Sequence, residues 1–289
     1  MVISDIMQDI YSAILVLAAE QDQALKIFSQ CVQQLETSIE KDSWAGLKNA
    51  LEDVAANLAL IPLKQPLAAA KKVTVVGEIY VRRDDFSKQY LVQKLARKGI
   101  ITKIASVAEW IYYCDYLVKN NLSESADLRD KVNLYIENIA RRKVEKEIKG
   151  ILAKSNLYEY HIIDIDKVIA GAQDLISPYL SGEAILTIGT ALMEIVDHVD
   201  GIISIGPFGC MPSRIAEAVL NQQLSKHKEK ISLQEMVQKV MQVYPNLPFL
   251  SIESDGSAFP QLIDVRLEAF ALQVARINEL IRKIKTESA

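Results

Sequence analysis

Val73-Thr74-Val75-Val76-Gly77, an amphipathic stretch from about Phe86 to Arg97, and Ile100-Ile101-Thr102-Lys103-Ile104 decide the fold. The two β-branched runs are of strand length and the segment between them has helical periodicity. Strand, helix, strand is a βαβ unit, which demands a parallel sheet. A further helix is expected from about Val107. Gly201-Ile202-Ile203-Ser204-Ile205-Gly206 and Phe249-Leu250-Ser251-Ile252-Glu253 repeat the pattern, each leading through a loop into a helix. Four such strands predict an α/β fold: a small, doubly wound parallel sheet with a large helical portion.

Residues 5 to 60 carry apolar side chains at helical spacing, as in Ile6, Ile10, Ile14, Leu17 and then Leu47, Leu51, Val54, Leu58,. Pro62 and Pro66 break this pattern twice, because each proline biases its predecessor away from helix,. The expected organisation is a helical segment over 1–66 and an α/β domain over 67–289. That domain holds a helical insertion at about 119–198. Within the insertion, Arg141-Arg142-Lys143-Val144-Glu145-Lys146-Glu147 interleaves both charges and reads as a solvated helix face with i,i+4 pairs,.

Half of the 289 residues are apolar, enough for a sizeable core, and the net charge of -4 favours neither nucleic acid nor an anionic membrane,. No basic region precedes an apolar stretch at the amino terminus, so no secretory signal is expected. Apolar stretches such as Ile10 to Ala19 fall short of the roughly 20 residues that a bilayer requires,. The expectation is a soluble, cytoplasmic protein. Cys31, Cys114 and Cys210 are odd in number and widely spaced, which argues against a disulfide framework and for a reducing compartment,. They are also too few for the four thiolates that a cubane iron–sulfur cluster normally takes.

In open parallel sheets ligands bind beyond the carboxyl ends of the strands, where loops and helix N-termini converge. Those ends read Glu78 to Asp84, Ser106 to Trp110, Pro207 to Arg214, and Ser254-Asp255-Gly256-Ser257. The third is the most pointed. Gly206-Pro207-Phe208-Gly209-Cys210-Met211-Pro212 holds a cysteine between glycines and prolines just ahead of a helix, with Arg214 close in sequence. Such a placement favours a thiolate, suited equally to a nucleophile or a metal ligand. Gly206 and Gly209 would let backbone amides approach a cluster or a phosphate closely. The same position also suits a buried cysteine used as a small hydrophobe. Cys31 and Cys114 read as packed thiols. No nucleophile-elbow, P-loop or zincin pattern occurs,.

Several motifs together resemble the 2-hydroxyacyl-CoA dehydratase and benzoyl-CoA reductase component family. They are Gly77-Glu78-Ile79-Tyr80-Val81-Arg82, Glu109-Trp110, Gly182-Glu183-Ala184, Gly206 to Pro212, and Asp255-Gly256 ahead of Arg266-Leu267-Glu268-Ala269-Phe270. The chain is most similar to the carboxyl-terminal part of the very large CoA-substrate-specific enzyme activase proteins. The resemblance implies a flavodoxin-like α/β domain and a 4Fe-4S cluster between two such domains, with Cys210 as a ligand. It also implies that the partner cysteines belong to an earlier, amino-terminal cysteine-bearing α/β domain or subunit, and that this chain starts in the helices following it. The implied setting is anaerobic electron transfer, in which an ATP-dependent activase supplies electrons for dehydration or reduction of a CoA thioester. This chain itself has no ATP-binding glycine motif.

Under that reading Glu78 or Glu109 serves as a catalytic acid or base. Tyr80, Arg82 and Ser254 line the substrate crevice, and Gly206 and Gly209 border the cofactor. Two readings of other kinds stand beside it: a non-catalytic module that docks a partner, and a component of a small-molecule reductase of the double-cubane-cluster type.

Overall fold

A computed structural model describes residues 1–122, 128–180, 182–254 and 261–287; the side chains of residues 128–132, 261 and 262 are not described. In chain order the elements are α1 (Val2–Leu17), α2 (Gln21–Lys41), α3 (Trp44–Ala59), β1 (Lys71–Gly77), α4 (Ile79–Arg83), α5 (Leu91–Ala96), β2 (Ile100–Ile104) and α6 (Val107–Lys119). There follow α7 (Leu128–Leu152), α8 (Ile165–Ala172), α9 (Ala184–Glu194), β3 (Gly201–Pro207), α10 (Met211–Ile231), α11 (Glu235–Val243), β4 (Phe249–Ser254) and α12 (Gln261–Glu287). Among the described residues no helix is long and apolar enough to cross a membrane.

The chain divides into two compact units. One is helical and takes residues 1–70 and 106–163; the other is α/β and takes residues 71–105 and 164–289. The stretch read as an insertion, 119–198, is therefore shared between the two units at 163/164.

The α/β unit holds one four-stranded sheet in the order β2-β1-β3-β4, with every pair parallel. This is the doubly wound, flavodoxin-like arrangement expected from the strand runs. The central strands are buried: Val73, Val75 and Val76 of β1 and Ile202, Ile203 and Ile205 of β3 are at most 1% exposed. Burial on both faces is why parallel strands read as continuous apolar runs rather than alternating ones. Helix α9 packs on β1, α10 on β3 and β4, and α12 on β1 and β4. The chain leaves β1 toward β2 and leaves β3 toward β4, so the winding reverses between β1 and β3. Their carboxyl ends open the crevice where such sheets take ligands.

The helix expected over 86–97 is confined to α5. Gln89 and Tyr90 both have left-handed backbones, with φ of 51° and 54°, which a continuous helix cannot contain,. Asp84 instead accepts the Ser87 N–H at 2.7 Å, and buried Lys88 donates to the Arg83 carbonyl at 3.0 Å, closing a turn.

In the helical unit, α1 buries Ile6, Ile10, Ala13, Ile14 and Leu17. Its Asp5 accepts the Val107 N–H at 3.1 Å and the Ser106 hydroxyl, helping to cap α6. The charged stretch of α7 is solvated only in part. Arg141 pairs with Glu137 one turn away, but Glu145 is 2% exposed, where it takes the Tyr112 hydroxyl and the Lys149 ammonium, the latter at 2.6 Å. Desolvation, with Glu145 alongside, pushes the Tyr112 hydroxyl well above the usual tyrosine range,.

Candidate functional site

At the carboxyl end of β1 the backbone turns on Gly77, whose φ is +111°. A Cβ there would lie 2.0 Å from the Ile205 carbonyl oxygen, so only glycine lets β1 and β3 close at this point,. The next residue, Glu78, donates its N–H to that same carbonyl at 3.0 Å. Its carboxylate then accepts the Val81 N–H at 2.8 Å, starting the single turn of α4,. Arg82, 5% exposed, folds back and donates to the Gly77 carbonyl at 2.6 Å. Tyr80, on the same turn, is 68% exposed.

At the end of β3, Gly206 is required by close packing. A Cβ on it would stand 2.1 Å from the Ser213 hydroxyl, which belongs to the first turn of α10. Phe208 donates its N–H to the Ser254 carbonyl at 2.9 Å. Gly209 is left-handed, with φ of +70°, and its N–H donates to Glu253 at 3.0 Å. Cys210 follows as the N-cap residue of α10. It is half-buried, and its sulfur accepts the Ser213 hydroxyl at 3.4 Å. Arg214 directs its guanidinium to Glu217 at 2.6 Å and toward Glu253 at 3.6 Å, so its charge is spent on carboxylates.

The end of β4 adds Ser254, whose hydroxyl donates to the Ser87 carbonyl at 2.8 Å. Asp255, Gly256 and Ser257, which complete that expected loop, lie outside the described residues. The start of α9 brings in a carboxylate that the strand-end reading assigned no role. Burial raises the carboxyl of Glu183 above its ordinary range and Glu78 adds to the rise, while Arg82 and the Ile79 N–H it accepts pull the other way,. A Cβ on neighbouring Gly182 would sit 3.6 Å from the Pro212 ring. The starts of α4, α9 and α10 therefore meet at the reversal point of the sheet.

Of the residues expected to form a site, Glu78, Tyr80, Arg82, Gly206, Gly209, Cys210 and Ser254 all lie at the carboxyl edge of the sheet. Glu109 belongs to the helical unit, in the first turn of α6, and is 2% exposed. Cys31 and Cys114 are also in the helical unit, on α2 and α6; Cys31 is buried, whereas Cys114, read as a packed thiol, is exposed. The sequence reading quoted Glu183 only within a motif of the resemblance and gave it no role, and it missed the exposure of apolar side chains in the α/β unit: Phe86, Tyr179, Phe208 and Met211 are each at least 62% exposed. A signal for Phe208 was present, since an aromatic between proline and glycine in a loop has little core to enter.

The edge is thus a polar floor of carboxylates and a guanidinium, a cysteine held by a glycine turn, and exposed aromatic side chains. Among the described residues no group of three or more His, Cys, Asp or Glu side chains is arranged to hold a metal ion. A cubane cluster takes four ligands, so the donor set of this chain alone does not fit one; Cys210 offers one position. No family model, no curated protein and no solved structure matches this chain.

Proposed function

We propose that the carboxyl edge of the sheet is one half of a composite 4Fe-4S cluster site, to which this chain contributes Cys210 and a second, cysteine-bearing domain or subunit contributes the rest. The supporting observation is the placement of Cys210. It is the one cysteine of the α/β unit, half-buried at the reversal point of a doubly wound sheet. Gly206 and Gly209 permit the turn that presents it. The exposed Phe208 and Met211, which flank the cysteine loop, suit a surface that another protein covers,.

In this reading the chain is part of a dehydratase-like or activase-related electron-transfer protein. It works in an anaerobic cytoplasm with an ATP-dependent activase on low-potential dehydration or reduction of a CoA thioester. Arg82 and Tyr80 would contact the thioester or its phosphates, Ser254 would border it, and Glu78 would move protons; Glu109, in the helical unit, takes no part in this edge. Burial of Arg82 and the capping role of Glu78 favour a second reading, in which both hold the loop and the edge serves only to dock a partner.

Anaerobic reconstitution with iron and sulfide, with and without a co-expressed cysteine-bearing α/β domain, separates the two. The first reading expects visible absorption and iron in the wild-type complex and their loss in Cys210→Ala. Equal iron in both proteins, or none in either complex, removes the ligand role and leaves the docking module. Calorimetry with a CoA ester tests the crevice: Arg82→Ala should weaken binding about tenfold or more, the loss expected for one charge-assisted hydrogen bond.

A further inference from the structure

Among its described residues the helical unit exposes two apolar surfaces whose borders carry opposite charge, and neither takes part in the reading above. The first is a groove of about 380 Å³ between α1 and α2. Phe28, Val32, Leu35 and Ile39 line it from α2, spaced four, three and four residues apart, the seam a packed helix presents to another helix,. Tyr11 and Phe28 meet in it with tilted rings, centroids 5.6 Å apart, and Ile39 at its far end is 56% exposed. Its border is acidic. Glu36 lines the groove and Glu40 lies one turn further along, both exposed, and residues 1–41 hold six carboxylate side chains against two lysines.

The second surface is on α7. Tyr135, Ile136 and Ile139 are 69%, 60% and 53% exposed. Lys143 and Lys146 continue the line of Ile136 and Ile139 at helical spacing and are also exposed. Residues 128–152 hold seven basic side chains against four acidic ones. The helix is thus apolar and then basic along one face, as the groove is apolar and then acidic along α2. At 1.5 Å per residue, Ile136 to Lys146 spans about 15 Å and Phe28 to Glu40 about 18 Å.

We propose that α7 of a second copy of this chain docks in the α1–α2 groove, running parallel to α2. Ile136 and Ile139 then seat against Val32, Leu35 and Ile39, and Lys143 and Lys146 meet Glu36 and Glu40. Helix-in-groove recognition rests on such anchors at i, i+3 and i+7, and complementary charge at the rim fixes direction and register. The contact joins two different surfaces, so it is heterologous: two copies exchange helices in a closed dimer, or the contact propagates.

The test is molar mass by light scattering and sedimentation across a dilution series of the full chain, at low and high salt. Ile39→Lys disables the groove and Ile139→Glu disables the helix face. Both sites are exposed, so circular dichroism should show unchanged folding. The proposal expects the wild type to exceed the mass of one chain as concentration rises, less so at high salt. Each variant alone stays at that of one chain, and an equimolar mixture of the two rises toward, and not beyond, twofold mass through the one intact groove and the one intact helix. Glu36→Lys should weaken association, and Lys143→Glu in the same chain should restore it. A wild type that stays monomeric throughout overturns the proposal. So does a mixture that fails to associate, or an Ile39→Lys protein that associates as the wild type does, which would place α7 against α7 instead.

Discussion

The two ends of the central strand pair β1–β3 are built on opposite terms. At the amino end, Asp200 and Lys72 clasp each other through their backbones and side chains. The Lys72 N–H donates to the Asp200 carboxylate and the Asp200 N–H to the Lys72 carbonyl, each at 2.8 Å. Asn278 of α12 adds its amide at 3.1 and 3.2 Å, and Asp200 is 5% exposed. At the carboxyl end the same strands close on left-handed or crowded glycines, beside a half-buried thiol and exposed aromatics. One end satisfies its polar groups internally and excludes water. The other also pairs its polar groups but leaves a half-buried thiol and aromatic side chains at the surface, at the edge where α/β sheets place their chemistry,.

The sharpest way to break this contrast is at the hinge between strand and crevice. Gly77→Ala combines a backbone that L-residues rarely adopt with a carbonyl oxygen 2.0 Å from the new methyl group. It should cost about 4 kcal/mol or more, read from urea or thermal unfolding. A loss under about 1 kcal/mol would mean that β1 and β3 do not close at this point.

The amino end should announce itself through pH. Burial pushes the Asp200 carboxyl up to about 6, against the pull of the Lys72 N–H, the Asn278 amide and the charges of Lys72 and Lys285. An unfolded aspartate titrates near 3.9, so the folded chain holds this proton more tightly. Its contribution is therefore least favourable above pH 6, where the buried group is ionised, and grows as pH falls from about 6 toward 4, by up to ~3 kcal/mol. Asp200→Asn should remove this portion of the pH dependence, seen as the difference between wild-type and variant unfolding curves. Parallel curves would show that Asp200 is not buried as described.

At the open end, effects on folding should be small. Gly209→Ala meets no atom within 4 Å and carries only the left-handed backbone penalty, about 1 kcal/mol,. Phe208→Ser, at a side chain 76% exposed, should move stability by less than about 0.5 kcal/mol while weakening capture of any partner at the edge,. If Phe208→Ser costs as much as Gly77→Ala, the open end is core after all and the contrast fails.

How much of this was legible in the sequence follows from which forces are local. The strands were, because Val73 to Val76 and Ile202 to Ile205 must be apolar on both faces wherever a parallel sheet is sandwiched by helices. The crevice followed, since strand ends can be read once the strands are. The start of α5 was not legible: the turn at Gln89 and Tyr90 depends on where Lys88 is buried, which residue pattern does not encode. Glu183 escaped because its environment comes from Arg82 and Glu78, about a hundred residues away in the chain. The burial of Glu145 in a stretch that reads as solvated has the same origin, a tyrosine from another helix. Exposure of Tyr179 was equally hidden, whereas that of Phe208 could have been read from its place between a proline and a glycine.

The central claim, that Cys210 is the ligand this chain supplies, is tested most directly by thiol protection. The chain is combined with a co-expressed cysteine-bearing α/β domain, with and without anaerobic reconstitution by iron and sulfide, then alkylated, and the rate at Cys31, Cys114 and Cys210 is followed by mass spectrometry. Cys114 is exposed and serves as the internal reference. The account predicts that Cys210 alkylates in the iron-free complex and becomes protected at least tenfold on reconstitution, while Cys114 reacts unchanged. Alkylation of Cys210 at the same rate with and without bound iron would contradict it.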